Sequence, residues 1–370
     1  MDFEVTIIGA GVIGLAIAAR LSSEYHNIVV IEKNKKYGQE TSSRNSEVIH
    51  SGIYYPSNSL KTKLCVKGKK LLYQYCKNNN VNYNKCGKLL VATSVDDKKQ
   101  LKSILQQSEA NGVEDGRIIG EEEILGIEPH VNAISAIYYP SSGIIDSHGL
   151  MRKFETDSLK NGVQYAYNHV VKNLKKIDDG YCVSVFDSKE IFEFTTQILI
   201  NSSGLEAYNV SSMLGLNLEE YRIYYWKGEY FSVSSTKGKL VNSLIYPVPN
   251  KDTLGLGVHA TIDLNGRLKL GPNAIFLPTN EIDYSVCYEN KFSFYTSAKK
   301  YLPFLELNDL EPDQAGIRPK LQKSGDSFRD FIIRNETDYG YHNFINLLGI
   351  ESPGLTACLS IADYVQKTII

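Results

Sequence analysis

The sequence predicts an α/β fold that opens on a strand–helix–strand unit and carries a second, mixed-sheet region inserted into it. Three observations lead there. Residues 3–8 (FEVTII) and 28–32 (IVVIE) are short, continuous apolar runs, the pattern of strands buried on both faces of a parallel sheet. Residues 13–24 between them have helical character. Farther along, strand and helix patterns alternate with no internal repeat, low-complexity stretch or Pro/Ser linker, so the chain crosses between two regions more than once.

The remaining elements follow in order. Residues 60–80 read as a helix, and Lys88–Thr93 as a strand after Gly87. Asp96 to Asn111 reads as a polar amphipathic helix ended by Gly112. From about Gly143 the pattern changes to a helix through Leu150–Leu159 and strands near 163–172, 180–186 and 191–200. Residues 221–260 look like several antiparallel strands with turns at Gly238 and Pro247–Pro249. Two strands within 328–348 precede a closing helix from about Leu355 to Gln366.

Composition narrows the partners. With 40 basic and 42 acidic residues the formal charge is -2, which argues against nucleic acid and strong attraction to an anionic membrane. Six scattered cysteines form no CxxC pair and no metal-ligand spacing, so reduced thiols and no metal are expected. The apolar stretch Val5–Leu21 lacks a basic leader, and Gly9, Gly11 and Gly14 interrupt it. A bacterial-type cytoplasmic location is expected, with peripheral contact at the inner membrane face left open.

Those glycines carry the chemistry. Gly9-Ala10-Gly11-Val12-Ile13-Gly14 follows one strand and opens a helix, and Glu32 ends the next strand. Gly9 permits the tight turn, Gly11 lets backbone approach a pyrophosphate, and Gly14 lets helix and strand pack closely. The exposed N–H groups of Val12 and Ile13 and the helix dipole favour the anion. Glu32 can accept from the ribose hydroxyls, and Lys33 beside it joins the cofactor-binding set. This Rossmann-type fingerprint does not itself separate FAD from NAD. Its N-terminal position leans toward FAD, as does a second Gly-rich element, Leu348–Thr356, before the final helix. FAD is the longer molecule and uses such a second contact.

These elements, with Thr41–Pro56 (TSSRNSEVIHSGIYYP), resemble the D-amino-acid oxidase / glycerol-3-phosphate dehydrogenase superfamily of flavoproteins. Within it the sequence is most similar to the L-2-hydroxyglutarate dehydrogenase (oxidase) family, through Cys86–Leu89, Gly143–Asp146, Ile245–Pro249, Gly257–His259, Gly271–Asn273, Ala315–Lys320 and GIESPGLT at 349–356. The resemblance implies FAD, a Rossmann-type FAD-binding domain made of residues 1–85, 146–215 and 321–370, and a mixed-sheet substrate domain of 86–145 and 216–320; with no flavin-linking Cys or His motif in the sequence, non-covalent FAD is expected. It implies cofactor contacts from Thr41, Ser42, Ser43, Arg44, Asn45, His50, Ser51 and Gly52. Further contacts are implied at Val171, Ser203-Gly204, Arg318, Gly349 and Glu351, and through Ser352, Pro353, Gly354, Leu355 and Thr356. The family pattern often has Gly where Glu47 stands and, in a common version, Asp where Asn273 stands.

The implied reaction is hydride transfer from a 2-hydroxy acid to flavin N5, with L-2-hydroxyglutarate going to 2-oxoglutarate. It needs a cation for the carboxylate and a base for the hydroxyl proton. Arg318 is the expected carboxylate partner, since a guanidinium fork pairs bidentately. His259 is the first choice of base and His50 the second, because imidazole titrates near working pH. A dicarboxylate needs a second cluster, for which Lys227, Lys320, Tyr54 and Tyr55 are available. An amino-acid or amine oxidase, or a glycerol-3-phosphate dehydrogenase, of the same superfamily is the alternative. A different class, a redox-inactive or NAD-binding module, would give colourless protein. The electron acceptor, quinone or oxygen, has no signature in the sequence.

Overall fold

The computed structural model describes residues 1–249 and 257–370. Strand Phe3–Ile8 pairs parallel with Ile28–Glu32 on one side and with Ile191–Asn201 on the other. This is the centre of an eight-stranded sheet. The long strand Ile191–Asn201 divides its far edge: its first half pairs antiparallel with Gly180–Phe186, and its end pairs parallel with Phe344–Leu348. A nine-stranded sheet holds Lys88–Ala92, Tyr224–Val233 and Leu310–Lys320, and three short strands form a third sheet.

Helix Val12–Leu21 packs against the last helix, Gly354–Thr368, which also packs against helix Leu60–Asn79. The second contact is close because Gly68 has no side chain: a Cβ there would lie 2.5 Å from the Thr356 carbonyl oxygen. Ser360 Oγ donates to the Leu64 carbonyl across the same contact, at 2.6 Å. These helices cover one face of the eight-stranded sheet with a core that includes Leu15, Ile17, Leu72, Ile200 and Ile361. A second core, including Tyr181, Tyr221 and Leu321, covers the other face.

Helix boundaries follow local chemistry. Ser59 caps Leu60–Asn79 by accepting from Thr62 N–H, and Asn80 ends it in the left-handed region at φ 55°. Ser94 and Asp97 form a capping box on Val95–Ala110. The helix expected at 150–159 starts earlier, at Ser147, because Asp146 accepts from Gly149 N–H.

The structure also corrects the sequence reading. The strand expected near 163–172 is two, Gln164–Tyr167 and Val170–Ile177, divided at Asn168 with φ 59°. The region 221–260 is not purely antiparallel, since Leu244–Pro247 pairs parallel with Lys88–Ala92. Its segment 250–256 lies outside the described residues. No helix among the described residues is long and apolar enough to cross a membrane.

Candidate active site

One cavity of about 1110 Å³ runs from the Gly-rich turn, past the start of the last helix, to the inner face of the nine-stranded sheet. At its first end the Gly-rich turn is built by close approach. A Cβ on Gly14 would collide with the Gly9 carbonyl oxygen, and one on Gly9 would lie 2.7 Å from Ser202 O. Gly9 also has φ 98°, open to glycine at little strain. Glu32 holds the turn: one carboxylate oxygen accepts from Ala10 N–H at 2.8 Å, the other from the Asn34 backbone N–H at 2.8 Å and side chain at 2.9 Å. A carboxylate has about four acceptor positions, so capacity for ribose hydroxyls remains. Lys33 borders the cavity beside it, paired with Glu40 at 2.8 Å.

The loop 41–45 lies over this turn. Ser42 Oγ accepts from Val12 N–H at 2.9 Å, so a hydroxyl already sits at the anion-attracting helix start. Thr41 Oγ1 donates to Ile317 O at 2.8 Å, tying the loop to the strand that carries Arg318. Arg44 stacks on Tyr284 with its guanidinium carbon 3.9 Å from the ring centre, and its buried Nε has no hydrogen-bond partner among the described residues. An unpartnered buried donor is costly, and this one belongs to a cation bordering the cavity. The glycine turn, the helix start and the Arg44 donor together fit a bound dinucleotide diphosphate.

At the second end, Arg318 donates through Nη2 to Asn273 O at 3.2 Å. Tyr55, Tyr230, Tyr246, His50 and His259 border the same space. The His259 ring stacks on Tyr246, centroids 3.6 Å apart. His50 N–H donates to Thr356 Oγ1 at 2.9 Å, anchoring it to the last helix. Burial lowers the His50 pKa well below 6.5, and the charges of Lys88 and His259 push the same way. Tyr54 and Tyr55 are pushed up, chiefly by burial, so both phenols stay protonated.

Most sequence-selected residues border this cavity: Gly9, Gly11, Val12, Ile13, Glu32, Lys33, Thr41, Ser42, Arg44, Asn45, His50, Tyr55, Val171, Ser203, Gly204, His259, Arg318, Glu351, Ser352, Pro353, Gly354 and Leu355. Others stand behind it. Gly14 and Gly349 support the backbone, Ser43 Oγ donates to Glu40 O, and Ser51 Oγ meets Ser142 Oγ. Gly52 accepts from Asn111 Nδ2 through its carbonyl, and Thr356 holds His50.

Lys227 is not brought to the cavity wall. Its Nζ pairs with Asp283 at 2.7 Å and lies 3.8 Å from Glu229. The two departures from the family pattern have local reasons. Glu47 adopts φ 56° and holds Ser147 through its carboxylate. Asn273 donates to the buried Glu229 at 3.0 Å, which an aspartate could not do while ionised. Sequence reading missed Tyr230, in a strand without a distinguishing motif, and gave Tyr246 no role although it lies in the Ile245–Pro249 block. It also missed Lys61, whose Nζ pairs with Glu351 at 2.8 Å.

The fold and this cavity define a flavin-binding oxidoreductase. A model of the FAD dependent oxidoreductase family (DAO) matches residues 4–367, and the chain belongs to that family. An L-2-hydroxyglutarate dehydrogenase from Arabidopsis thaliana is 35% identical, aligned over 98% of this chain and 83% of its own. The L-2-hydroxyglutarate dehydrogenase of Indibacter alkaliphilus is 30% identical over 99% and 98%. Among solved structures, the L-alpha-glycerophosphate oxidase of Mycoplasma pneumoniae with FAD bound superposes with a TM-score of 0.88 at 28% identity, covering 99% of this chain and 94% of that one. FAD is the cofactor of this family, and the residues around the cavity fit it.

Proposed function

We propose that this protein oxidises L-2-hydroxyglutarate to 2-oxoglutarate. The observation that carries the reading is the likeness, over nearly the whole chain, to L-2-hydroxyglutarate dehydrogenases from a plant and a bacterium. When bound, FAD supplies the two-electron acceptor that takes the hydrogen of the hydroxyl-bearing carbon as hydride. Arg318 pairs with the carboxylate next to that carbon and fixes the direction in which its single hydrogen is presented. His259 takes the hydroxyl proton as the carbonyl forms, with His50 the other imidazole at this end of the cavity. The tyrosines around them keep the space dry and their own protons in place.

In this reading the segments 1–85, 146–215 and 321–370 hold the flavin, bound without a covalent link, and 86–145 and 216–320 cover the substrate. The course of the eight-stranded sheet through the first set supports it. The electrons then pass to a quinone or to oxygen.

Anaerobic mixing tests the reading. L-2-Hydroxyglutarate bleaches the flavin absorbance, while the D-enantiomer and glycine do not. The likeness to a glycerophosphate oxidase supports one competing substrate. Bleaching by glycerol 3-phosphate and not by L-2-hydroxyglutarate would overturn the proposal.

A further inference from the structure

Behind the Tyr246–His259 stack lies a charge that the proposed chemistry has not used. Lys88, in the strand Lys88–Ala92, is 1% exposed. Its Nζ lies 4.1 Å from the centre of the Tyr246 ring. An imidazole centred 3.6 Å from that ring centre leaves no room on the same face for the ammonium. The two therefore flank Tyr246. No ion pair joins Lys88 to a carboxylate among the described residues.

The groups facing Lys88 from each packed element are neutral or cationic. Helix Leu60–Asn79 presents Cys65 and Lys69, and Lys69 lies 4.0 Å from its own carboxylate, Asp115. Burial pushes the Cys65 thiol up to about 12 and the Cys86 thiol up to about 11, so both stay protonated. Burial also raises the Tyr246 phenol. His50 feels Lys88 as a repelling charge. Burying an ammonium with no counter-charge is expensive, and such a group in an enzyme is a candidate for function.

We propose that Lys88 is a positioning residue for the oxidation: its buried ammonium, set behind Tyr246, keeps the cavity imidazoles uncharged and ready to accept the substrate's hydroxyl proton. The proposal rests on the oxidation proposed above. A cation beside an imidazole disfavours the imidazolium, so the neutral base persists to lower pH. Burial lowers Lys88 itself to about 8, so its charge is present throughout the range in which an imidazole would protonate.

The test compares the flavin-loaded wild type with Lys88→Met and Lys88→Arg. Two quantities are read against pH: the rate of anaerobic flavin bleaching by L-2-hydroxyglutarate, and the His50 and His259 ring-proton resonances. In Lys88→Met the acid limb of the rate and the imidazole titration should both move up by about one pH unit, an ordinary size for a nearby charge. Bound flavin should be retained, and Lys88→Arg should restore the wild-type limb. An unchanged limb with unchanged imidazole titration overturns the proposal. Where Lys88→Met does not fold, Lys88→Gln gives the same comparison. If L-2-hydroxyglutarate fails to bleach the wild type, the substrate reading fails alone, because the imidazole titration needs no substrate.

Discussion

The two ends of the cavity are built by different means. At the Gly-rich turn the work falls to the backbone: carbonyls pass so close that Gly9 and Gly14 admit no side chain, and Glu32 secures the turn through Ala10 N–H. At the other end the work falls to side chains from several segments, among them Arg318 in Leu310–Lys320, Tyr246 in Leu244–Pro247 and His259 just before Ala260–Ile262. In the proposed reading the first end holds the dinucleotide and the second decides what is oxidised. The shared scaffold and the divergent substrates of this family follow from that division.

Substitutions can break either end separately. Gly14→Val should have the largest effect, since the new side chain meets the Gly9 carbonyl with nothing flexible to yield. The expected result is colourless or insoluble protein, judged by flavin absorbance after purification. A yellow, active Gly14→Val protein would show that the turn is not held by close packing.

Glu351→Gln comes next. Glu351 accepts from Lys61 at 2.8 Å, and the two side chains are 8% and 4% exposed. Removing one partner of a buried pair costs about 3 kcal/mol. Burial favours the protonated acid, but Lys61, Lys320 and Arg318 outweigh it and hold the Glu351 pKa below 4.5. A folded-state pKa below the unfolded one stabilises the fold above the unfolded value, and that contribution is lost as pH falls through the folded value. The gap in melting temperature between wild type and Glu351→Gln should therefore be widest near neutrality and narrow as pH falls below the ordinary carboxylate range.

Arg318→Lys sharpens the comparison from the substrate side. Loss of the planar fork should lower kcat/KM roughly ten- to a hundredfold with flavin still bound, the size of a charged hydrogen bond. Equal losses of flavin and of activity would move Arg318 to the cofactor end. Ser94→Ala, remote from both ends, removes half of a capping box and should cost about 1 kcal/mol in stability. The rate of flavin reduction should not change.

The same contrast decides what could be read before the structure. The turn at 9–14, Glu32 and the final Gly-rich element depend on local backbone demands, and glycine spacing records these directly. The helices at 60–79 and 95–110 were legible through their residue pattern, the second also through Gly112 after its end, while their serine caps came only with the structure. The strand Leu310–Lys320 was not read as one: Pro312, Gly316 and Pro319 interrupt its pattern, although both prolines lie in a ladder with Tyr224–Val233. Arg318 was chosen through a motif and not through its strand. Lys227 looked available because sequence cannot show Asp283 reaching it from 56 residues away. Tyr230 gave no signal, and Tyr246 and Lys88 lay in blocks that marked the family but not a role, because convergence across strands leaves no spacing to detect.

The docking of the last helix on the first has a consequence for synthesis. Helix Val12–Leu21 leaves the ribosome more than 300 residues before its packing partner, Gly354–Thr368. The contact between the glycine turn's helix and its partner therefore waits on that long interval of synthesis. Until then the apolar face of the first helix is covered only in part, by helix Ser147–Lys160 and the strands of its own sheet.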